Sequence, residues 1–219
     1  MITYESIRST PDIQTYIEHA DRSLRALGYT EHSMPHVSRV ASLAGDILEA
    51  LGKDSHTVEL ARIAGYLHDI GNLVNRIDHS QSGAVMAFRL LDKLGMEADD
   101  ICRITTAIGN HDEGTGVPVD EMCAALIIAD KSDVRRSRVR NDDPSTFDIH
   151  DRVNYSVTRS ALTINIDKHE IELSLTVDTH YSSIMEYFEI FLERMNLCRR
   201  AAECLGLHFR LRINDQLHL

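Results

Sequence analysis

Apolar residues recur at helical spacing through residues 1–144, and the punctuation between them divides this stretch into helices. Ile13, Ile17, Ala20, Leu24 and Leu27 share one face, with Gly28 as a C-terminal stop. Ser33 and Pro35 open a second helix, in which His36, Val40, Leu43, Ala44 and Ile47 point inward until Gly52 ends it. Asp54 or Ser55 caps a third, with Leu60, Ala61, Ala64, Leu67 and His68 on its inner face. Residues 71–79 read as a loop, followed by a fourth helix from Ser80 to Leu94, stopped by Gly95. Ile101, Ile104, Ile108 and His111 mark a fifth. After the loop DEGTGVP comes a long sixth helix with Met122, Leu126, Ala129 and Asp130 on a shared face.

Past Asn141-Asp142-Asp143-Pro144 the period changes from helical to alternating. ALTINI and IELSLTV flank a short turn at residues 167–170 and read as a β-hairpin. A helix over residues 182–205, stopped by Gly206, precedes a last strand, LHFRLRI. The expected fold is mainly α: an all-helical domain, 1–144, followed by a small α+β (ββαβ) module, 145–219. The module's sheet has open edges, which either pair with a second copy to build a homodimer or pack on the helical domain. It has no His/Asp/Glu cluster at ligand spacing, so no second active site is expected there.

A chain of 219 residues with 43% hydrophobic content supports one good-sized core. No apolar run approaches the roughly 18 residues of a membrane span, and the first residues lack the pattern of a signal peptide. Cys102, Cys123, Cys198 and Cys204 form no CxxC pair and read as free thiols, so a cytoplasmic location is expected. The net charge of −11 argues against non-specific nucleic-acid binding. A small anionic substrate needs only a local basic patch and stays compatible.

Six residues that close or open apolar helical stretches carry the candidate chemistry: His36, the adjacent pair His68-Asp69, His79, His111 and Asp130. Imidazole nitrogen and carboxylate oxygen together suit divalent Fe, Mn, Zn, Ni or Mg, at one or two ions per chain. Adjacent residues on a continuous helix point about 100° apart, so His68 and Asp69 can meet one ion only at a helix end. Ile70-Gly71 supplies that end. Asp69 could then bridge two ions, His36, His68 and Asp130 completing one set and His79 and His111 the other. Two ions about 3.5–4 Å apart clamp a phosphoryl group and activate water. Alternatively, His79 and His111 hydrogen-bond substrate oxygens beside a single ion. The other histidines lack such a setting and read as surface or structural.

The order His … His-Asp … Asp on consecutive helices, with LHDIG at 67–71, resembles the HD superfamily of metal-dependent phosphohydrolases over residues 30–140. His79 in HSQSGA and Ala129-Asp130-Lys131 followed by arginines are similar to the dinuclear, diadenosine-tetraphosphate-cleaving branch. NHDEGTGVP echoes the loop of the HD-GYP cyclic-dinucleotide phosphodiesterases, but Asn110 and Val117 depart from it. Asn72 stands where many relatives have a lysine. The resemblance implies hydrolysis of a phosphoester or phosphoanhydride in a small nucleotide-like substrate. Asp69, Lys131 and Arg135 are the expected catalytic residues, and Lys131, Arg135, Arg136 and Asn72 the expected substrate contacts. Asp112, Glu113 and Asp133 are candidates for a general acid. The alternatives are an HD-GYP-like activity and a non-catalytic nucleotide- or metal-binding regulator.

Overall fold

The computed structural model describes residues 2–219. Its helical part runs α1 (Tyr4–Arg8), α2 (Pro11–Ala26), α3 (Met34–Ala50), α4 (Ser55–Leu67), α5 (His79–Leu94), α6 (Ala98–Gly109) and α7 (Glu121–Lys131). The remainder runs α8 (Ile149–Ser156), β1 (Val157–Asn165), β2 (Glu170–Val177), α9 (Ile184–Cys204), β3 (His208–Ile213) and β4 (Gln216–Leu217). The protein is mainly α with a small sheet. Asp54 caps α4, its carboxylate accepting from the Thr57 amide, and Gly28, Gly52 and Gly95 follow their helices with positive φ.

Three elements escaped the hydrophobic pattern: α1, α8 and β4, each too short to develop a period. The strand order is β1-β2-β3-β4, with β1–β2 antiparallel and β2–β3 parallel. A parallel pair needs a crossover, and α9 provides it, packing on the apolar face made by Leu173, Leu211 and their neighbours. The other face of α9 lies against α7. From Met122 to Ala129, α7 is buried all round, so it is the axis of the molecule, with α3 and α9 packed against it. Residues from both parts of the chain belong to one core.

The β1 edge has no strand partner among the described residues. If two β1 edges pair, light scattering at micromolar concentration will read twice the 24.7 kDa chain mass. A single chain mass would end the dimer expectation.

The site depends on how the chain leaves α4. His68 keeps helical torsions, whereas Asp69 moves to φ −94°, ψ 2° and starts a 3₁₀ turn over Ile70–Leu73. That turn lies directly on the start of α5. A Cβ on Gly71 would stand 2.0 Å from the His79 carbonyl oxygen and 2.4 Å from the Gly83 nitrogen, so only glycine permits the approach. Asp78, at φ 56°, then turns the chain so that His79 opens α5 one residue earlier than its apolar pattern indicates. We expect Gly71→Ala to destabilise the fold by about 1–3 kcal/mol or more, through the backbone shift it forces. A denaturation midpoint equal to the wild type's would contradict this packing.

Candidate metal centre

His36 on α3, His68 at the end of α4, His79 at the start of α5 and His111 just past α6 converge on Asp69 and on Asp130 of α7. All four imidazoles are buried, and each has its Nδ1 engaged away from the centre. His68 donates to the Gly65 carbonyl at 2.8 Å, His111 to Ile108 at 2.7 Å and His79 to Arg76 at 3.1 Å. Nδ1 of His36 meets the Asp133 carboxylate at 2.8 Å. With Nδ1 carrying the proton, every Nε2 presents a lone pair to the centre. This is the second-shell arrangement that orients histidine ligands toward a metal.

The donor atoms stand where one ion would gather them. Nε2 of His36 lies 3.3 Å from that of His68, 3.5 Å from Asp69 Oδ2 and 3.4 Å from Asp130 Oδ1. Nε2 of His68 lies 3.3 Å from Asp69 Oδ2 and 3.6 Å from Asp130 Oδ1. Ligands about 2.1 Å from a common ion stand roughly 3.0–3.4 Å apart, so the set fits one with a slight contraction. The other oxygen of Asp69, Oδ1, faces His79 Nε2 at 3.4 Å. His111 groups with His68 and Asp69, and its Nε2 and Asp69 Oδ2 are buried without any hydrogen-bond partner. Buried acceptors left without a donor, as these two are, cost free energy unless a cation sits between them. The residues present therefore fit a divalent metal. The second half is looser: Arg76 Nη1 approaches His79 Nε2 at 3.3 Å and would have to give way before His79 could ligate.

Electrostatics give the same picture. Burial works to keep His68 neutral, but Asp69 and Asp130 outweigh it and raise its pKa to about 10. Burial opposes charge on Asp69 and Asp130 too, yet the surrounding cations hold both well below the carboxylate range. Burial pushes His111 well below the imidazole range, with positive neighbours adding to the effect, and it lowers His79 as well. Without a cation the centre thus stores a proton on His68 at neutral pH, and that proton must leave for His68 to ligate. Metal loading at pH 7 is expected to release at least one proton per chain, and affinity should fall as pH falls. Calorimetry in buffers of different ionisation enthalpy measures this, and zero release would contradict it.

The expected substrate contacts fare differently. Lys131 is buried at the rim, its Nζ 2.7 Å from Asp130 Oδ2 and 3.6 Å from Glu113 Oε1. Arg135 and Arg136, in contrast, are turned away. The sixth helix is short and ends at Lys131, so the arginines do not continue its inner face. Arg135 pairs with Asp133 at 2.6 Å and approaches Glu31 at 3.6 Å. Arg136 donates to the Tyr155 carbonyl at 2.6 Å, pairs with Asp178 at 3.4 Å and covers the Tyr155 ring. Neither lines the cavity above the centre. Asn72 is also redirected: its buried amide donates to the carbonyl and Oδ1 of Asp69, both at 2.9 Å, and so fixes Asp69 instead of meeting substrate.

Two candidates for a general acid are likewise redirected. Asp133 sits behind His36, away from the cavity. Glu113 faces the cavity, but Lys131 and Arg194 overcome its burial and lower its pKa to about 2, so it carries no proton to give.

The cavity, about 300 Å³, opens over Asp69, His79 and Asp130. Of the arginines after Asp130, it is Arg138 that lines it, together with residues that carry no signal in the sequence: Arg76, His32 and, from α9, Arg194. The exposed Tyr29 and Leu27 stand at its mouth, and Asp151 and Asn154 of α8 also line it. The part of the chain expected to be remote from chemistry therefore completes the pocket.

Comparison with known proteins agrees with this geometry. Residues 34–137 match the family model described as HD domain. The uncharacterized protein MJ1020 of Methanocaldococcus jannaschii is 24% identical over 208 aligned positions, covering 84% of this chain and 80% of that protein. A crystal structure described as a predicted HD superfamily hydrolase, from an uncultured Thermotogales bacterium, is 25% identical over 57% of this chain and 67% of its own, with a TM-score of 0.45. No helix among the described residues is long and apolar enough to cross a membrane. The matched segment spans His36 through Asp130, so the part of the chain that is similar to an HD domain is the part whose donor atoms converge.

Proposed function

We propose that the protein is a metal-dependent phosphohydrolase acting on a small nucleotide-like substrate through one or two divalent ions. The observation that carries this reading is the split of Asp69: one carboxylate oxygen faces His36 and His68, the other faces His79. Divalent ions held by these residues would supply Lewis acidity toward phosphoryl oxygens and make water a competent nucleophile at neutral pH.

The chain's own residues prepare the rest. Asn72 and the 3₁₀ turn hold Asp69 so that both of its oxygens stay presented. Burial disfavours charge on Lys131, but Asp130 and Glu113 overcome this and keep it protonated. Its ammonium, with three donors, then meets negative charge on equatorial phosphoryl oxygens as it develops. A leaving phosphate of low pKa would need no protein acid. Tyr29 and Leu27 offer apolar surface to a base at the mouth of the cavity.

Metal-loaded protein screened against nucleotides, dinucleoside polyphosphates and cyclic dinucleotides tests the reading by phosphate or product release. Release with Mn²⁺ or Fe²⁺ that disappears in Asp69→Ala is expected. Cleavage confined to cyclic dinucleotides would favour the HD-GYP-like alternative, and saturable binding without turnover the regulator.

A further inference from the structure

Arg194 belongs to α9, 81 residues from its partner Glu113 and outside the segment that matches the HD domain. Its Nε donates to Glu113 Oε1 at 2.5 Å, and its guanidinium lies over the Phe191 ring with Cζ 4.2 Å from the centroid. Clamped along one edge and one face, the group is held in place. Its two terminal nitrogens have no hydrogen-bond partner among the described residues, and the side chain, 20% exposed, lines the cavity. Arg138 is fixed in the same manner, Nε to the Glu31 carbonyl at 2.8 Å and Nη1 to the Asp133 carbonyl at 2.7 Å. Its Nη2 is left without a partner, and it lines the same cavity.

Immobilised guanidinium donors with nothing to bind are suited to an anion, because little side-chain entropy is lost when it arrives. The local charge leaves room for one. Glu113 is shared between Arg194 and Lys131, whose other partner is Asp130. Once Asp130 neutralises a metal ion, Glu113 alone faces two cations. Across the cavity as a whole, four basic side chains face five acidic ones, so loading a single divalent ion already makes the pocket net positive.

We propose that Arg194 and Arg138 form a second anion subsite beside the metal centre, so that the preferred substrate carries a further phosphate next to the one on the metals. This rests on the phosphohydrolase reading and narrows it from phosphate esters in general to substrates with two or more linked phosphates. Arg194 makes the C-terminal module a source of specificity.

The test is binding to the full-length, Mn²⁺-loaded chain by titration calorimetry. Methylenediphosphonate, which no phosphohydrolase can cleave at its P–C–P bridge, is compared with methylphosphonate, free Mn²⁺ being kept in excess. Wild type should prefer the diphosphonate, and Arg194→Gln should reduce that preference at least tenfold. Arg194→Lys keeps the pairing with Glu113 and serves if the glutamine variant does not fold; lacking the fork, it too should lose preference. A wild type with no preference, or a folded variant with an unchanged one, overturns the proposal. A merely structural arginine would not alter the ratio. Because turnover is not measured, a chain that cleaves nothing would sink the phosphohydrolase reading and leave this ratio readable.

Discussion

Asp69→Ala is expected to abolish phosphohydrolysis, lowering kcat/KM by about three orders of magnitude or more, the scale on which a preorganised electrostatic group acts in an active site. Among the described residues, Asp69 alone has a carboxylate that approaches His36, His68 and His79 together. Its removal takes one ligand from each half of the centre. The fold itself should survive, because the protonated His68 exists largely to balance Asp69 and Asp130. With Asp69 gone, His68 can give up its proton instead of unfolding the site. Asp69→Asn, which keeps the shape and the reach of the side chain but not its charge, separates ligation from packing and should also be inactive. A fully active Asp69→Ala protein would remove the mechanism at its root.

Asp133→Ala should show the second large effect, and it should appear in stability as well as in metal affinity. Asp133 is wholly buried and orients His36 through Nδ1, while Arg135 and Arg39 approach its carboxylate at 2.6 and 3.1 Å. Burial would raise its pKa, but the bonds to His36 and Arg135 outweigh it and hold the carboxyl well below its ordinary range. A depressed folded-state pKa means stability that is present above the unfolded value and lost as pH falls through the folded one. At neutral pH the contribution is complete. Truncation leaves the buried Arg138 and His36 without their counter-charge, whereas the partly exposed Arg135 and Arg39 regain water, so the cost is about 3 kcal/mol, the low end for a broken buried pair. It also frees His36 to rotate, and loss of such a partner typically weakens metal binding about 10–100-fold. Equilibrium unfolding and a metal competition titration read the two effects separately. If metal affinity survived intact in a folded Asp133→Ala protein, His36 would not depend on this support.

The six candidate ligands were legible because each sits at a helix end, where a polar residue on an apolar face is conspicuous. The adjacency of His68 and Asp69 required a break in the helix, and the 3₁₀ turn over Ile70–Leu73 is that break. What could not be read were pairings across long separations. Arg194 looks like an ordinary surface charge on an amphipathic helix, and nothing local indicates that α9 crosses over α7 to bring it to Glu113. Arg135 and Arg136 misled in the opposite way: they are near Asp130 in sequence, but the chain turns at Ser132 and carries them to Asp133, Glu31 and Asp178. Asn72 was read as a change in chemistry, whereas its amide acts on the geometry of Asp69. The parallel β2–β3 pairing also left no local mark, since alternation fixes which face a strand buries but not which neighbour it takes.

Metal content per chain, measured by elemental analysis after Mn²⁺ or Fe²⁺ loading and desalting, tests the central claim most directly. The account predicts at least one ion in the wild type and none in Asp69→Ala; two ions, falling to one in His111→Ala, would mean that both halves of the centre fill. One ion in the wild type, unchanged in His111→Ala, would make His79 and His111 substrate contacts beside a single metal. No ion above background in the folded wild type would contradict the metal centre itself.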